Sequence, residues 1–266
     1  MNVSEYEGRF SSLTFADAGD GILRITLNNP GRLNSADESM HRDLALVWLT
    51  IDEDPDVRVV LVQGSEGQFS SGGDFDMIKA MIDDEDTLVR VLKEARDLVY
   101  NITNCSKPVV SAIEGVAVGA GLAVALCSDI PIAADNARLL DGHTRLGVAA
   151  GDHAVFVWPL LCGLAKAKYY LLTNTPINGI EASEMGLVAK SVAPEEVLDE
   201  ALSVAQKLSA GSTTAVRWTK YALNNWLRMA GPNFDTSLAL EFLGFRLRDV
   251  KEGLESLQEK RPPKFK

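Results

Sequence analysis

The 266-residue sequence has few of the residues that define several protein classes. It contains three cysteines and three histidines, aromatic residues make up 7% of the chain, and 26 lysines and arginines stand against 37 acidic residues. The cysteines, Cys105, Cys127 and Cys162, have neither an even count nor the spacing of metal ligands. We therefore expect reduced thiols in place of disulfides, and no bound metal.

The formal net charge of −11 argues against nucleic acid as a partner, because neutralising phosphates requires clustered Lys and Arg. An anionic small ligand held by a few local cations stays compatible with this charge. No apolar run reaches the roughly 18 residues that a membrane-spanning helix needs, so we expect no membrane partner. Residues 1–10 are polar and acidic, unlike a signal peptide, and we expect a cytoplasmic location.

Two glycine-containing turns, residues 70–75 and 115–121, are the most informative feature. Each follows an apolar run typical of a buried strand, residues 59–62 and 108–113, and leads into a segment with a helical pattern. Small residues at such a turn leave backbone N–H groups free and let a ligand approach closely. Two turns can direct one N–H each at a single oxygen, which is the arrangement of an oxyanion hole. The alternative is that the glycines only punctuate an α/β fold.

Strand and helix patterns alternate in the first part of the chain, which indicates an α/β core. The patterns predict a hairpin over residues 12–28, helices over 36–53 and 122–127, two helices within 75–104, and strands over 57–63, 108–113 and 129–133. Helical patterns dominate later, over residues 163–173, 180–186, 195–209, 212–230 and 232–258. We expect a core over residues 1–200 and a helical region over 201–266.

The last helical segment is more apolar than one solvated helix should be. Its apolar residues include Leu238, Leu240, Phe242, Leu243, Phe245 and Leu247. Such an excess is explained either by an internal core or by a subunit interface. We expect an oligomer.

Eight short phrases occur in the order that is typical of the crotonase (enoyl-CoA hydratase/isomerase) superfamily, and the chain resembles this family over nearly its whole length. They are residues 28–34, 56–61, 69–74, 107–113, 115–121, 127–130, 181–188 and 259–265. The resemblance implies a spiral of ββα units with a helical C-terminal trimerisation region, assembled as a homotrimer or homohexamer. It also implies that the N–H groups of Gly73 and Ala120 stabilise a thioester enolate.

The resemblance further implies an acyl-CoA substrate, with coenzyme A as part of the substrate and no permanently bound cofactor. The residues that match positions where relatives hold the adenine and pantetheine parts are Ser71, Gly72, Gly73, Asp74 and Phe75. Arg32 and Lys260 match cations that meet the phosphates, and Lys260 often comes from a neighbouring subunit. Taken alone, these two side chains are ordinary surface charges.

The sequence departs from hydratases of this type at both glutamates that activate water. Ala123 stands where the first is expected, and His143 takes the place of the second within residues 141–147. Hydration by two glutamates is therefore not expected.

Other polar residues fill this region, which resembles the β-diketone hydrolase (6-oxocamphor hydrolase) branch of the superfamily. In that resemblance His143 and Asp152 serve water activation and proton transfer. The alternatives are a structural His143 or His153, and an Asp152 that only caps the helix starting near His153. Asp141 reads equally well as a turn residue. His41 lies in a helix predicted to be on the surface, and we expect it not to be catalytic.

Three functions remain open from the sequence. The first is an enzyme that acts on an acyl-CoA thioester, with enolate stabilisation at Gly73 and Ala120 and with His143 and Asp152 as acid and base. The second is a hydrolase that cleaves a carbon–carbon bond of a β-diketone or cyclic keto substrate, with or without CoA. The third is a catalytically silent acyl-CoA-binding protein, against which the gain of histidine and aspartate in residues 141–153 argues.

Overall fold

Short strands and helices alternate along residues 2–266, which the computed structural model describes. The strands are β1 (Leu13–Asp17), β2 (Ile22–Leu27), β3 (Val59–Gly64), β4 (Val109–Ile113), β5 (Val116–Val118), β6 (Ile130–Ala134), β7 (Arg138–Leu140), β8 (Ile177–Asn178) and β9 (Lys190–Val192). The first helices are α1 (Val3–Arg9), α2 (Glu38–Glu53), α3 (Phe75–Asp83), α4 (Glu85–Asn104), α5 (Gly119–Cys127), α6 (His143–Leu146) and α7 (Ala154–Cys162). They are followed by α8 (Leu164–Thr173), α9 (Gly179–Glu184), α10 (Val197–Ala210), α11 (Thr213–Leu223), α12 (Asn225–Met229), α13 (Gly231–Gly244) and α14 (Asp249–Gln258).

The strands form two sheets. The larger has the order β1-β2-β3-β4-β6-β9 and is parallel except for the β1–β2 hairpin, and the smaller has the order β5-β7-β8. Successive segments such as β4–β5–α5 and β6–β7–α6 give one strand to each sheet and then a helix. This repeated strand–strand–helix unit confirms the predicted α/β spiral.

Burial explains why these segments are strands and helices. All residues of β4 and the first four of β3 are buried, as expected for parallel strands that are covered on both faces. Helix α5 is apolar on all sides and lies inside the core, whereas α4 buries one face against α2. In residues 2–266 no helix is both long and apolar enough to cross a bilayer.

Most predicted elements are found at or near their expected positions, and two long helices are not. Residues 212–230 form α11 and α12, and residues 232–258 form α13 and α14. Asn224 separates the first pair, where its side-chain amide donates to the Thr103 carbonyl. The second break lets α14 pack against α3 and α6. Strands β5, β7, β8 and β9 were not predicted, because a strand of two or three residues is too short to show an alternating or apolar pattern.

The division into residues 1–200 and 201–266 stays a prediction. Helix α10 runs across position 200 and packs against β3 and β4 of the larger sheet. The free cysteines Cys105 and Cys127 are buried, while Cys162 is partly exposed.

Candidate active site

Backbone pairing brings the two glycine turns together. The Ser70 N–H donates to the Val116 carbonyl at 2.9 Å, and the Val118 N–H donates to the Ser70 carbonyl at 2.9 Å. The residue before Gly73 and the first residue of α5 are glycines with positive φ, +90° at Gly72 and +46° at Gly119. The residues at the two turns therefore extend the smaller sheet before each chain enters a helix.

Gly73 and Ala120 both line one cavity. Two hydrogen bonds flank Gly73, from the Ala36 N–H to the Gly72 carbonyl at 2.8 Å and from the Asp74 N–H to the Ala36 carbonyl at 3.0 Å. The Gly73 N–H itself has no acceptor within residues 2–266. Ala120 lies in the first turn of α5, where N–H groups lack intrahelical acceptors. Whether these two N–H groups hold a ligand oxygen stays a prediction.

Close packing of Gly121 against Ser70 fixes this arrangement, because a Cβ at position 121 would overlap the Ser70 side chain. We expect Gly121→Ala to lower the free energy of unfolding by roughly 1–3 kcal/mol and to reduce turnover, since the two turns must separate. Chemical denaturation and steady-state kinetics measure both effects. Gly8→Ala in α1 is the control, because nothing lies within 4 Å of its added Cβ. Equal stability of the two variants would contradict the expectation.

The cavity has a volume of about 230 Å³ and two unlike sides. Its apolar side comes from α3, α4, α13 and α14, with Met77, Ile78, Met81, Val91, Ala95, Phe242, Phe245 and Leu257. Its polar side carries Asp141, His143, Asp152 and Glu241. Apolar walls with a few convergent polar groups are typical of small-molecule sites.

His143 stands among three buried carboxyl groups. Its Nδ1 lies 3.1 Å from Asp141 Oδ1. Its Nε2 lies 3.3 Å from Glu241 Oε1 and 3.7 Å from Asp152 Oδ2. Because each ring nitrogen faces a carboxyl oxygen, this arrangement favours the doubly protonated imidazolium.

His153 supports the cluster from behind. Its Nδ1 lies 2.6 Å from Asp152 Oδ1, and the Trp158 indole N–H donates to its Nε2 at 3.2 Å. Since Nε2 accepts a hydrogen bond, the proton of the neutral ring is on Nδ1 and is donated to Asp152. His153 is fully buried and holds Asp152 in place.

The members of the cluster differ in the direction in which their pKa values are shifted. Burial alone would lower the pKa of His143, but the charges of Asp141, Asp152 and Glu241 outweigh it and raise that pKa well above 6.5. Burial would raise the pKa of Asp152, but His143 and His153 lower it to about 2. Burial raises the pKa of Glu241, against the attraction of His143. The cluster thus places an imidazolium beside a carboxyl group that ionises less readily than usual.

Comparison with known proteins decides the family. A sequence model of enoyl-CoA hydratase/isomerase matches residues 17–266. The chain belongs to the enoyl-CoA hydratase/isomerase family. This confirms the predicted membership of the crotonase superfamily.

The names of similar proteins indicate different reactions. An (E)-benzylidenesuccinyl-CoA hydratase of Thauera aromatica is 32% identical over 94% of this chain and 97% of its own length. An enoyl-CoA hydratase/isomerase from Mycobacterium paratuberculosis superposes with a TM-score of 0.88 at 34% identity, covering 92% of this chain and 98% of that one. A β-diketone hydrolase from Anabaena sp. PCC 7120, solved with (S)-3-oxocyclohexyl acetic acid, has a TM-score of 0.85 at 25% identity, with 92% and 98% covered.

Glu241 lines this cavity beside His143, and the sequence analysis did not single it out. It lies within the apolar run that we attributed to a core or a subunit interface, and it is only 5% exposed. Leu238, Phe242 and Phe245 of that run are buried within the chain, whereas Leu240 and Leu243 are exposed. A lone glutamate among apolar neighbours was the available signal, since a buried carboxyl group needs a compensating partner.

The prediction that His41 lies on the surface was wrong. His41 is 4% exposed and lines the cavity, and its Nδ1 lies 2.9 Å from Glu94 Oε2. It shares a face of α2 with the buried Leu44 and Trp48, three and seven residues further on. This face packs against α4, so His41 is inside.

The residues matched to CoA binding divide into two groups. Four of them line the cavity: Ser71, Gly72, Gly73 and Phe75. Asp74 instead caps α3 by accepting from the Asp76 N–H at 2.9 Å, and it pairs with the exposed Arg32 at 2.8 Å. Lys260 is exposed just beyond α14, whose Leu257 lines the cavity of the same chain.

The remaining predicted residues have clear positions. Asp152 does not cap α7, because His153 is the N-cap residue and no side chain caps that helix end. Asp141 does form a turn, accepting from the His143 N–H at 3.3 Å, and also contacts the His143 ring. Ala123 is buried in α5.

The carboxylates of Asp141 and Asp152 and a nitrogen of His153 lie within 4.8 Å of one another, a spacing that could suit a metal ion. The donor set does not favour one. Both nitrogens of His153 already take part in hydrogen bonds, so this ring has no free lone pair. The expected imidazolium of His143 beside the two carboxylates would also repel a cation.

Proposed function

We propose that this enzyme hydrolyses a carbon–carbon bond in the CoA thioester of a β-keto acid. The observation that carries the proposal is the buried cluster around His143, in a chain with Ala123 in place of a hydratase glutamate. The likeness to a β-diketone hydrolase supports the same reaction class.

In this reaction water adds to the β-carbonyl carbon and gives a tetrahedral intermediate. The bond between the α- and β-carbons then breaks, and its electron pair passes into the thioester enolate. The β-carbon leaves as a carboxylic acid, and the proton taken from water is returned to the α-carbon.

The N–H groups of Gly73 and Ala120 would hold the enolate oxygen. Each donor directed at a developing oxyanion contributes roughly 10²–10³-fold in rate. Their position at the cavity wall and their lack of backbone acceptors support this role. Coenzyme A is then part of the substrate, and no permanently bound cofactor is needed.

Proton transfer is assigned to His143 and Glu241. The raised pKa of Glu241 makes its carboxylate a stronger base than that of Asp152 in the same cluster, so Glu241 would take the proton from water. His143, 3.3 Å away, would stabilise that carboxylate, give its own Nε2 proton to the α-carbon, and recover a proton from the Glu241 carboxylic acid. Asp141 and Asp152 hold the imidazolium in place.

Hydration of an enoyl-CoA is the second candidate, since the Thauera aromatica relative is a hydratase. The same cluster could add water across a double bond. A silent acyl-CoA-binding role is disfavoured, because burying three carboxyl groups and an imidazole costs free energy that a binding protein gains nothing from.

A substrate panel tests the proposal: crotonyl-CoA, a cyclic β-ketoacyl-CoA, and the corresponding cyclic β-diketone without CoA. The expected result is opening of the acyl ring of the cyclic β-ketoacyl-CoA, detected by mass spectrometry. Turnover of crotonyl-CoA alone would establish the hydratase, and turnover of the free diketone alone would remove the CoA requirement.

Lys260 is expected to contribute to CoA binding by pairing with phosphate. Calorimetry with acetoacetyl-CoA should show weaker binding after deletion of residues 259–266 and, to a smaller degree, after Lys260→Ala. Lys266→Ala is a control of equal charge. If Lys260→Ala and Lys266→Ala bind equally well, the assignment of Lys260 is wrong.

We also propose assembly as a homotrimer or homohexamer. Large exposed apolar residues are concentrated on α7, α8, α11 and α12, namely Leu160, Leu161, Leu164, Leu172, Trp218, Leu223, Trp226 and Met229. A cavity of about 850 Å³ lies between α7, α11 and α12. Continuous apolar surface of this kind is typical of subunit interfaces.

Light scattering should therefore report a trimer or hexamer at micromolar concentration. Trp226, 65% exposed within the apolar surface, is the residue to change. Trp226→Asp should lower the mass to that of a smaller species, because a charge would be buried in the interface. Val89→Asp on the exposed side of α4 should not. A monomeric wild type would contradict the proposal.

The cytoplasm is the proposed location. The buried free thiols of Cys105 and Cys127 are in keeping with a reducing compartment.

A further inference from the structure

A second buried histidine, outside the cluster around His143, borders the same cavity. His41 on α2 pairs with Glu94 on α4 at 2.9 Å. Arg90 holds the other Glu94 oxygen at 3.0 Å and pairs with Glu38 at 3.1 Å. A chain of charged groups thus runs from the surface to the cavity.

The chain of contacts fixes the orientation of the imidazole. Burial would raise the pKa of Glu94, but His41 and Arg90 outweigh it and lower that pKa. The ionised Glu94 therefore accepts the proton on His41 Nδ1. Nε2 has no hydrogen-bond partner within residues 2–266, and the residue lines the cavity. Nε2 is thus the atom that His41 offers to a ligand.

The neighbouring wall is apolar. Val91 and Ala95 lie on the same helix as Glu94, and Phe242 comes from α13. A leucine or methionine at position 41 would suit an alkyl chain better, because a buried histidine and glutamate lose hydration. A polar atom in such a wall favours a ligand with an oxygen at that point.

We propose that His41 is a specificity-determining residue that binds an oxygen of the acyl group other than the thioester oxygen. With Nδ1 bonded to Glu94, Nε2 is the ring atom left to bond a carbonyl or carboxylate oxygen through an N–H. The substrate class is then an oxo- or carboxyacyl-CoA, in preference to a plain alkyl thioester. The identification of the ligand as a CoA ester depends on the proposed function.

The experiment compares the binding of three four-carbon thioesters by calorimetry: butyryl-CoA, acetoacetyl-CoA and succinyl-CoA. His41→Phe should weaken the binding of acetoacetyl-CoA or succinyl-CoA by roughly 10–100-fold. The affinity for butyryl-CoA should stay within a factor of two of the wild-type value. Glu94→Gln should give a smaller loss in the same direction, because the imidazole stays but its counter-ion is gone.

Asp43→Asn is the matched control. Asp43 is a buried acid on the same helix that holds the Ser12 N–H and hydroxyl instead of facing the cavity. Equal changes for all three thioesters, or the same pattern in the Asp43 variant, would show that His41 only holds the helices together. The proposal would also be overturned if His41→Phe changed the affinity for none of the three thioesters.

The test separates this inference from the proposed function because it needs no turnover. If the wild type binds none of the thioesters, the CoA assignment fails. The binding of cyclohexane-1,3-dione and of cyclohexanone is then measured for the wild type and for the variants. Loss of selectivity for the dione in His41→Phe supports the role of His41, and unchanged selectivity overturns it.

Discussion

His143→Ala is expected to lower kcat by roughly 10²–10⁴-fold while acyl-CoA binding is retained. The imidazole is the cation to which Asp141, Asp152 and Glu241 all point, and the proposed reaction passes a proton through it. Gly73 and Ala120 would leave residual catalysis through their N–H groups. Single-turnover kinetics beside calorimetry separates the two effects.

The same variant leaves three buried carboxyl groups without a cation, and removing one partner of a buried ion pair costs about 3–5 kcal/mol. His143→Gln is therefore made in parallel, because its amide can still donate to Asp141 and limits the loss of stability. Ala123→Glu in the His143→Ala background should not restore activity. Full turnover by a folded His143→Ala protein would return the residue to a structural role.

Glu241→Gln should abolish most turnover, by roughly 10²–10⁴-fold, and should stabilise the protein at neutral pH. Glutamine has the shape of the protonated carboxyl group but cannot accept a proton from water. One oxygen of Glu241, Oε2, is buried without a partner, so the ionised side chain is poorly solvated. Loss of activity with gain of stability is the pattern of a functional group held at an energetic cost.

The pH dependence of stability tests whether the pKa of Glu241 is raised in the folded protein. The pKa of Glu241 is raised above its ordinary value of 4.5 in the folded protein. The stability that this proton contributes is complete below pH 4.5 and is lost as the pH rises through the raised pKa. The glutamine variant has no such proton to lose. Its advantage in the free energy of unfolding should therefore grow from pH 4.5 toward neutral, and a constant difference would contradict the assignment.

The kinetic profile follows the same group. Because Glu241 must be ionised to act as a base, kcat should rise with pH through the raised pKa and level off above it. Glu241→Asp should keep this rise of kcat with pH but reach a lower maximum kcat. If a variant without a carboxylate at position 241 still showed the rise of kcat with pH, another group would be responsible for it.

Local sequence was sufficient for most of the longer elements and for part of the site. The apolar runs before residues 70 and 115 were predicted as strands, and the glycines of the two turns as the point where each chain leaves the sheet. The resemblance to the β-diketone hydrolase branch made His143 and Asp152 candidates together. Both turns and both side chains do meet at one cavity.

Glu241 and His41 could not be placed in this way. Each lies within a helix that buries only some of its apolar residues, and the sequence of that helix does not say whether the polar residue beside them faces solvent or a cavity. That depends on which element packs opposite, α4 for His41 and the segment around Gly151 for Glu241.

Short-range pattern was enough to predict an α/β core and the two turns, and the order of short phrases was enough to predict the family and, with it, the spiral. Which polar groups share the cavity could be seen only once the chain was folded. Burial of charged side chains is favourable only when partners from distant segments surround them, so the charges of the site are set by packing and not by spacing along the chain.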